Sequence, residues 1–124
     1  FEGETGPYVQ YTHARACSVL RKSALDLNTD IDFTLLSDEA SVEVIRLLMK
    51  FEEVVVLAHK NYEPHVIARY AVELAQAFNR FYHDNAILVE DNSLKQARLA
   101  LVWASKTVIK KALYLVCVNA PEQM

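Results

Sequence analysis

Tyr8, Gln10, Tyr11, His13 and Arg15 fall within eight consecutive residues, in the stretch TGPYVQYTHARA near the start of the chain. Rings and a guanidinium in so short a span offer flat faces for stacking, and the amide and guanidinium add hydrogen-bond donors. A second group of the same chemistry follows in FNRFYHDN, with Asn79, Arg80, Tyr82 and His83, and Asn85 just beyond. These are the residue types that read splayed-out single-stranded bases, by stacking and by contacts to base edges. Each group also has a purely structural account. The tyrosines could lie against a neighbouring helix with their hydroxyls bonded at the rim, and Arg and His favour the last turn of a helix on dipole grounds alone.

Arrangements for catalysis are not visible. The histidines His13, His59, His65 and His83 show no metal-ligand spacing, and neither cysteine belongs to a CxxC pair. There is no GxSxG, no P-loop and no dinucleotide fingerprint. The carboxylates are scattered over polar faces rather than paired on an apolar one. His13 itself falls on an apolar helix face, where a hydrogen-bonded core histidine is the expected reading.

Bulk properties narrow the field further. At 124 residues, 52% hydrophobic and 23% charged, the chain can bury one real core and is too short for two. No apolar run approaches the roughly 18 residues that a membrane span requires, and no basic-then-apolar leader is present. The chain begins at Phe1 without a Met, so a processed or excised piece is expected. Cys17 and Cys117 lie in apolar stretches, which favours two buried reduced thiols in a cytoplasmic protein over a disulfide. A net charge of −3 argues against a protein that holds nucleic acid mainly by phosphate attraction. Specific contacts, or a further domain, must carry such binding.

The elements that position these residues are helices. Only two glycines and three prolines punctuate the chain, and apolar residues recur at spacings of three and four. A first helix is expected from Pro7, at its first position, to about Leu25. The polar run DLNTDIDF breaks it. Ser37 or Asp38 caps a second helix through Lys50, and FEEVVVLAHKNY forms a third, since VVV has no partner strand. Glu63 and Pro64 start a fourth, reaching His83 or Asp84. Asp91, Asn92 and Ser93 cap a fifth from Leu94 to about Val118. The predicted fold is an all-α single bundle of about five helices over residues 1–124.

On a wheel of 100° per residue, Val9, His13, Ala16, Leu20 and Ala24 share the core face of the first helix, while Tyr8, Tyr11, Arg15, Ser18 and Lys22 gather opposite. In the fourth, Ile67, Tyr70, Ala71, Leu74, Phe78 and Phe81 form the core stripe, and Arg69 with Glu73 makes a surface pair. In the fifth, Leu94, Leu101, Val108 and Leu115 form one stripe, widened by Leu99, Val102, Trp103, Ile109 and Val116. A helix so broadly apolar is expected to be packed on several sides as the spine of the bundle.

GPYVQYTHARA resembles the segment of class I arginyl-tRNA synthetases where the catalytic domain meets the helical C-terminal domain. HVIARYAVELAQAFNRFYHDNAIL is similar to that family's central anticodon-domain helix, and ARLALVWASKTVIKKALYLVCVNAPEQM to its last helix and Pro-Glu-x-Met tail. The resemblance runs in order along nearly the whole chain. It implies an all-helical anticodon-binding domain of the DALR class, from an enzyme that attaches arginine to its tRNA with ATP and Mg. The catalytic domain would lie upstream, with residues 1–6 as the junction, and this chain would hold no cofactor.

In that family these helices and the terminal methionine face the anticodon stem and loop. The implied tRNA contacts are Tyr8, Gln10, Tyr11, Arg15, Asn79, Arg80, Tyr82 and Met124, with part of the first helix's polar face serving the catalytic domain instead. The implied partners are arginine tRNA and that domain, in a cytoplasmic monomer. The chain departs from the family pattern in three places. Val116-Cys117-Val118 stands where Leu-Gly-Ile is common, Gln123 replaces a usual arginine, and Gln96-Ala97-Arg98 is the nearest approach to the four-letter DALR signature. The alternative expectation, from another class, is a helical scaffold whose exposed aromatics meet a protein.

Overall fold

The computed structural model describes residues 5–23, 25–26 and 30–124. Five α-helices follow one another: α1 Thr5–Arg21, α2 Glu39–Met49, α3 Phe51–Asn61, α4 Pro64–Asp84 and α5 Asn92–Leu115, with a 3₁₀ turn at Phe33–Leu35. The helix starts are set by local chemistry. Asp38 accepts from the Ser41 backbone N–H at 3.1 Å, and Asp91 accepts from the Ser93 N–H at 3.0 Å, so each carboxylate satisfies donors left unpaired in a first turn. Burial pushes the Asp38 carboxyl up, but hydrogen bonds from Ser41 and Asn85 outweigh it and hold the group below its ordinary range. Pro64 opens α4. The VVV run is helical, inside α3, and only Lys50 separates α2 from α3.

α1 starts two residues earlier than the proline suggests. Pro7 sits in the first turn, where its missing N–H removes no intrahelical bond, so Thr5 and Gly6 can be helical ahead of it. The helix also stops at Arg21 and not at Leu25. The Ser23 hydroxyl and N–H both turn back to the Leu20 carbonyl, at 3.2 and 3.3 Å, and close the end. Residues 1–4, Ala24 and residues 27–29 lie outside the described residues. The 3₁₀ turn was not anticipated; it forms because Asp32 accepts from the Thr34 N–H at 3.0 Å and from its hydroxyl.

α4 is the central element. Ile67, Tyr70, Ala71, Leu74, Phe78 and Phe81 are all buried as the spacing predicts, and Ala75 joins them. Tyr70 stacks on Phe51 at 5.7 Å and donates its hydroxyl to the Leu47 carbonyl at 2.6 Å, which pins the α2–α3 corner to α4. Burial raises the Tyr70 phenol well above its ordinary value, which favours the protonated, donating form.

The first half of α5 is buried nearly all round, with Gln96, Ala97 and Leu99 to Val102 inside, as a spine should be. Its second half is not. Trp103 is 40% and Leu115 43% exposed, whereas Leu113, outside the expected stripe, is fully buried. The heptad spacing of 94, 101, 108 and 115 drifts by ~20° per repeat on a straight helix, so its last member rotates out of the core.

α3 and α5 both end with a residue in the left-handed region, Tyr62 at φ 55° and Cys117 at φ 61°. Around Cys117, the Val118 N–H donates to the Leu113 carbonyl at 2.8 Å and the Cys117 N–H to the Tyr114 carbonyl at 3.0 Å, the two bonds of a Schellman ending. This ends α5 three residues short of Val118. Cys117 is exposed rather than buried, because the reversal carries it off the helix; Cys17 is buried, and both are free thiols. A side chain in this region carries a cost of about 1–2 kcal/mol that glycine avoids, partly offset by glycine's greater freedom in the unfolded chain. Cys117→Gly is therefore expected to stabilise the fold by about 0.5–1 kcal/mol, seen as a rise of a few degrees in the thermal midpoint. An unchanged or lower midpoint would contradict this account.

Candidate nucleic-acid interface

α1 and α4 lie side by side, and the two aromatic–polar groups of the sequence meet along their seam. The Arg15 guanidinium sits between two rings, 5.2 Å from the Tyr11 centroid and 4.9 Å from that of Tyr82. Its Nη1 donates to Asn79 Oδ1 at 2.9 Å. The amide nitrogen of Asn79 donates to the Tyr8 hydroxyl at 3.0 Å and to Thr12 Oγ1 at 2.8 Å. Thr12, itself fully buried, donates its hydroxyl to the Tyr8 carbonyl at 3.0 Å. Tyr82 is backed by Phe78, with ring centroids 6.3 Å apart and planes inclined by 28°, so the outer stack rests on the core. A ladder of rings and bonds thus fixes the plane of Arg15 from three sides.

The ladder forms one wall of an open groove of about 670 Å³. Tyr11, Arg15, Lys22, Tyr82, Leu88 and Met124 are among its lining residues. Arg15, Arg21 and Lys22 face the single carboxylate side chain of Glu122 there, so this part of an acidic chain is locally positive. The far wall is the loop after α4. Arg98 on α5 holds it, donating from Nη1 to the Ala86 carbonyl at 2.6 Å and from Nη2 to Asn85 Oδ1 at 3.2 Å. Asn85 in turn donates to Asp38 at 3.1 Å, which ties the loop to the start of α2.

The last wall is the tail beyond α5, laid along α1 by three side chains that each capture a backbone carbonyl. Gln10 Nε2 donates to the Asn119 carbonyl at 2.8 Å, His13 Nδ1 to that of Pro121 at 2.8 Å, and Arg21 Nη1 to that of Glu122 at 3.1 Å. His13 is the expected core histidine, 1% exposed. Burial lowers its pKa, against the opposing pull of the Pro121 bond, and Nδ1 is the donor because its partner is a carbonyl oxygen. This clasp brings Glu122, Gln123 and Met124 to the groove.

Of the eight residues that the sequence suggested, Tyr8, Tyr11, Arg15, Asn79 and Tyr82 come together, and Met124 joins them across the groove. Gln10 does not; its amide is occupied by the tail. Arg80 points to α2 instead and pairs with Glu39 and Asp84, each at 3.6 Å. Arg69 and Glu73 are both exposed and form no ion pair among the described residues. The sequence reading missed Thr12, Arg21 and Arg98. Thr12 follows Tyr8 by four residues on the same face and was within reach of a wheel; Arg98 gives no local signal, because it acts on a loop that only the fold brings near.

Among the described residues no three His, Cys, Asp or Glu side chains are placed to hold a metal ion, and no helix is long and apolar enough to cross a membrane. What the five helices and the groove define is an all-α module with a stacking face. Residues 9–124 match the model of the DALR anticodon binding domain, and the chain belongs to that family. Over its full length it is 54% identical to the arginine–tRNA ligase of Clostridioides difficile (strain 630) and 49% identical to that of Halothermothrix orenii, spanning 22% of each. Two solved structures agree. The arginyl-tRNA synthetase of Thermus thermophilus superposes with a TM-score of 0.79 at 36% identity, over all of this chain and 22% of that one. That of Plasmodium falciparum gives 0.82 at 27% identity, over 99% and 22%. The resemblance drawn from the sequence holds, and the scaffold alternative gains no support.

Proposed function

We propose that this chain reads the anticodon stem and loop of arginine tRNA, as one part of an enzyme that joins arginine to that tRNA. The observation that carries the reading is the Arg15 guanidinium held between Tyr11 and Tyr82 at the edge of a positive groove. Unstacked loop bases entering the groove can stack on the exposed rings, worth about 1–3 kcal/mol per base. Among the described residues only Nη1 of Arg15 is bonded, and its remaining N–H groups can serve a base edge or a phosphate. Asn79, with its amide bonded on both sides, acts as a positioning residue that sets the plane of Arg15. Tyr8 and Thr12 hold Asn79, and Met124 supplies an apolar edge that narrows the groove around a base.

The chemistry of ligation belongs to the rest of the polypeptide. Among the described residues no carboxylates converge to hold a metal ion, and we assign ATP and Mg to the rest of the polypeptide. Attachment to a catalytic domain near the start of α1, a monomeric state and a cytoplasmic setting complete the proposal.

The test is a titration with an arginine-tRNA anticodon stem-loop and with the same stem carrying altered loop bases. We expect at least about tenfold tighter binding of the native loop, the effect of one lost base contact. Equal affinity for both would defeat the claim of specific reading.

A further inference from the structure

α5 is the most one-sided element of an acidic chain. Asn92–Leu115 carries Lys95, Arg98, Lys106, Lys110 and Lys111 and no Asp or Glu, although the whole chain has 16 acidic residues against 13 basic ones. From the middle of the helix onward, Trp103, Lys106, Lys110, Lys111 and Tyr114 fall within a sector of about 140°. That sector faces away from the core: Trp103 is 40% and Tyr114 79% exposed, Lys110 and Lys111 are exposed, and Lys106 is half-buried. None of the three lysines forms an ion pair among the described residues, where the recorded pairs involve Arg46, His65 and Arg80. Three cations left without a carboxylate, interleaved with two exposed rings, call for an anionic partner that also has apolar surface.

Burial raises the Cys17 thiol and lowers His13, and Lys106 and Lys110 act electrostatically on both. Arg21 and Glu122, which line the groove, act on Cys17 as well. Lys106 and Lys110 are therefore near the part of α1 that carries His13 and Cys17, where His13 holds the tail.

We propose that the exposed half of α5, carrying Trp103, Lys106, Lys110, Lys111 and Tyr114, is a second RNA face that holds the sugar–phosphate backbone of the stem whose loop enters the groove. This rests on the reading of the groove as an RNA site. The lysines neutralise backbone phosphates, while the two rings, about 16 Å apart along the helix, pack on riboses at the shallow minor groove of an A-form stem. Such a face adds affinity without reading sequence, since phosphate contacts position the RNA and base contacts specify it.

The triple variant K106Q/K110Q/K111Q separates the two faces. Binding is measured against salt for the stem-loop, for a stem-loop with altered loop bases, and for the loop as a single-stranded oligonucleotide. Three phosphates lost should flatten the salt dependence of stem-loop binding, log K against log salt, by about 2–3. Affinity for the loop oligonucleotide and the preference between loops should not change, and K106R/K110R/K111R should restore the slope. An unchanged slope overturns the proposal, as does an equal loss for the loop oligonucleotide, which would place the lysines in the groove. Equal binding of both stem-loops by the unaltered chain would instead defeat the groove reading while the slope still reported on α5.

Discussion

Arg15→Lys is expected to weaken binding of the anticodon stem-loop by about tenfold to a hundredfold, although the charge is kept. Lysine can approach one ring but cannot lie flat between Tyr11 and Tyr82, which stand 5.2 and 4.9 Å from the guanidinium. Each cation–π contact contributes about 0.5–2 kcal/mol, and the bond to Asn79 is worth about 1.5–3 kcal/mol as one made by a charged donor. Only part of this is felt in binding, because Arg15 is not fully buried. Because these contacts are made within the chain, stability should fall as well, by about 1–2 kcal/mol after allowance for the exposure of Arg15. A second variant checks the logic: Asn79→Ala should weaken binding less than Arg15→Lys, and the double variant should fall short of the sum, since both remove the same ladder. Isothermal titration of the four proteins measures this. Wild-type affinity in Arg15→Lys would show that the stacked guanidinium takes no part.

The largest effect on the fold is expected from Phe78→Ala. Phe78 is fully buried in the middle of α4, with Phe81 at 6.0 Å and Tyr82 stacked at 6.3 Å. Truncation should cost about 3–5 kcal/mol, a large share of the 5–15 kcal/mol typical of whole domains. It should also free Tyr82 from its backing and loosen the outer side of the Arg15 stack. Phe81→Ala separates these two consequences: it opens a similar cavity but leaves the Phe78–Tyr82 stack intact. Urea titration should show comparable losses for both, while stem-loop binding under conditions where each variant is folded should fall more for Phe78→Ala. A loss below about 1 kcal/mol would mean that the cavity collapses, contrary to the close packing around this ring.

How far the site could be read in advance differs from residue to residue. Tyr8, Tyr11 and Arg15 share a face at spacings of three, four and seven, so their convergence follows from α1 being a helix. Tyr82 and Asn79 share a face of α4 for the same reason. That these two faces meet was not legible, because the pairing joins residues 64 to 71 positions apart. Gln10 and Arg80 have the chemistry of RNA contacts and neighbours that fit, yet the first holds the tail and the second an ion pair with α2. The family resemblance named both, and it too is a statement about residue type and order rather than direction.

What the sequence determined by itself was the set of helices and their inner faces. Asp38 and Asp91 begin helices through bonds to N–H groups two or three residues on, and the buried stripe of α4 follows from a period of 3.6, so both are local properties. The tertiary structure alone decided where α5 leaves the core, which carbonyls the tail presents to α1, and how Arg15 is held. Each of these depends on a partner distant in the chain: Asn119 is 109 residues from Gln10, and Pro121 is 108 from His13. A side chain's type limits the bonds it can make, but the bond it does make is chosen by whatever group the packed helices bring within about 3 Å of it.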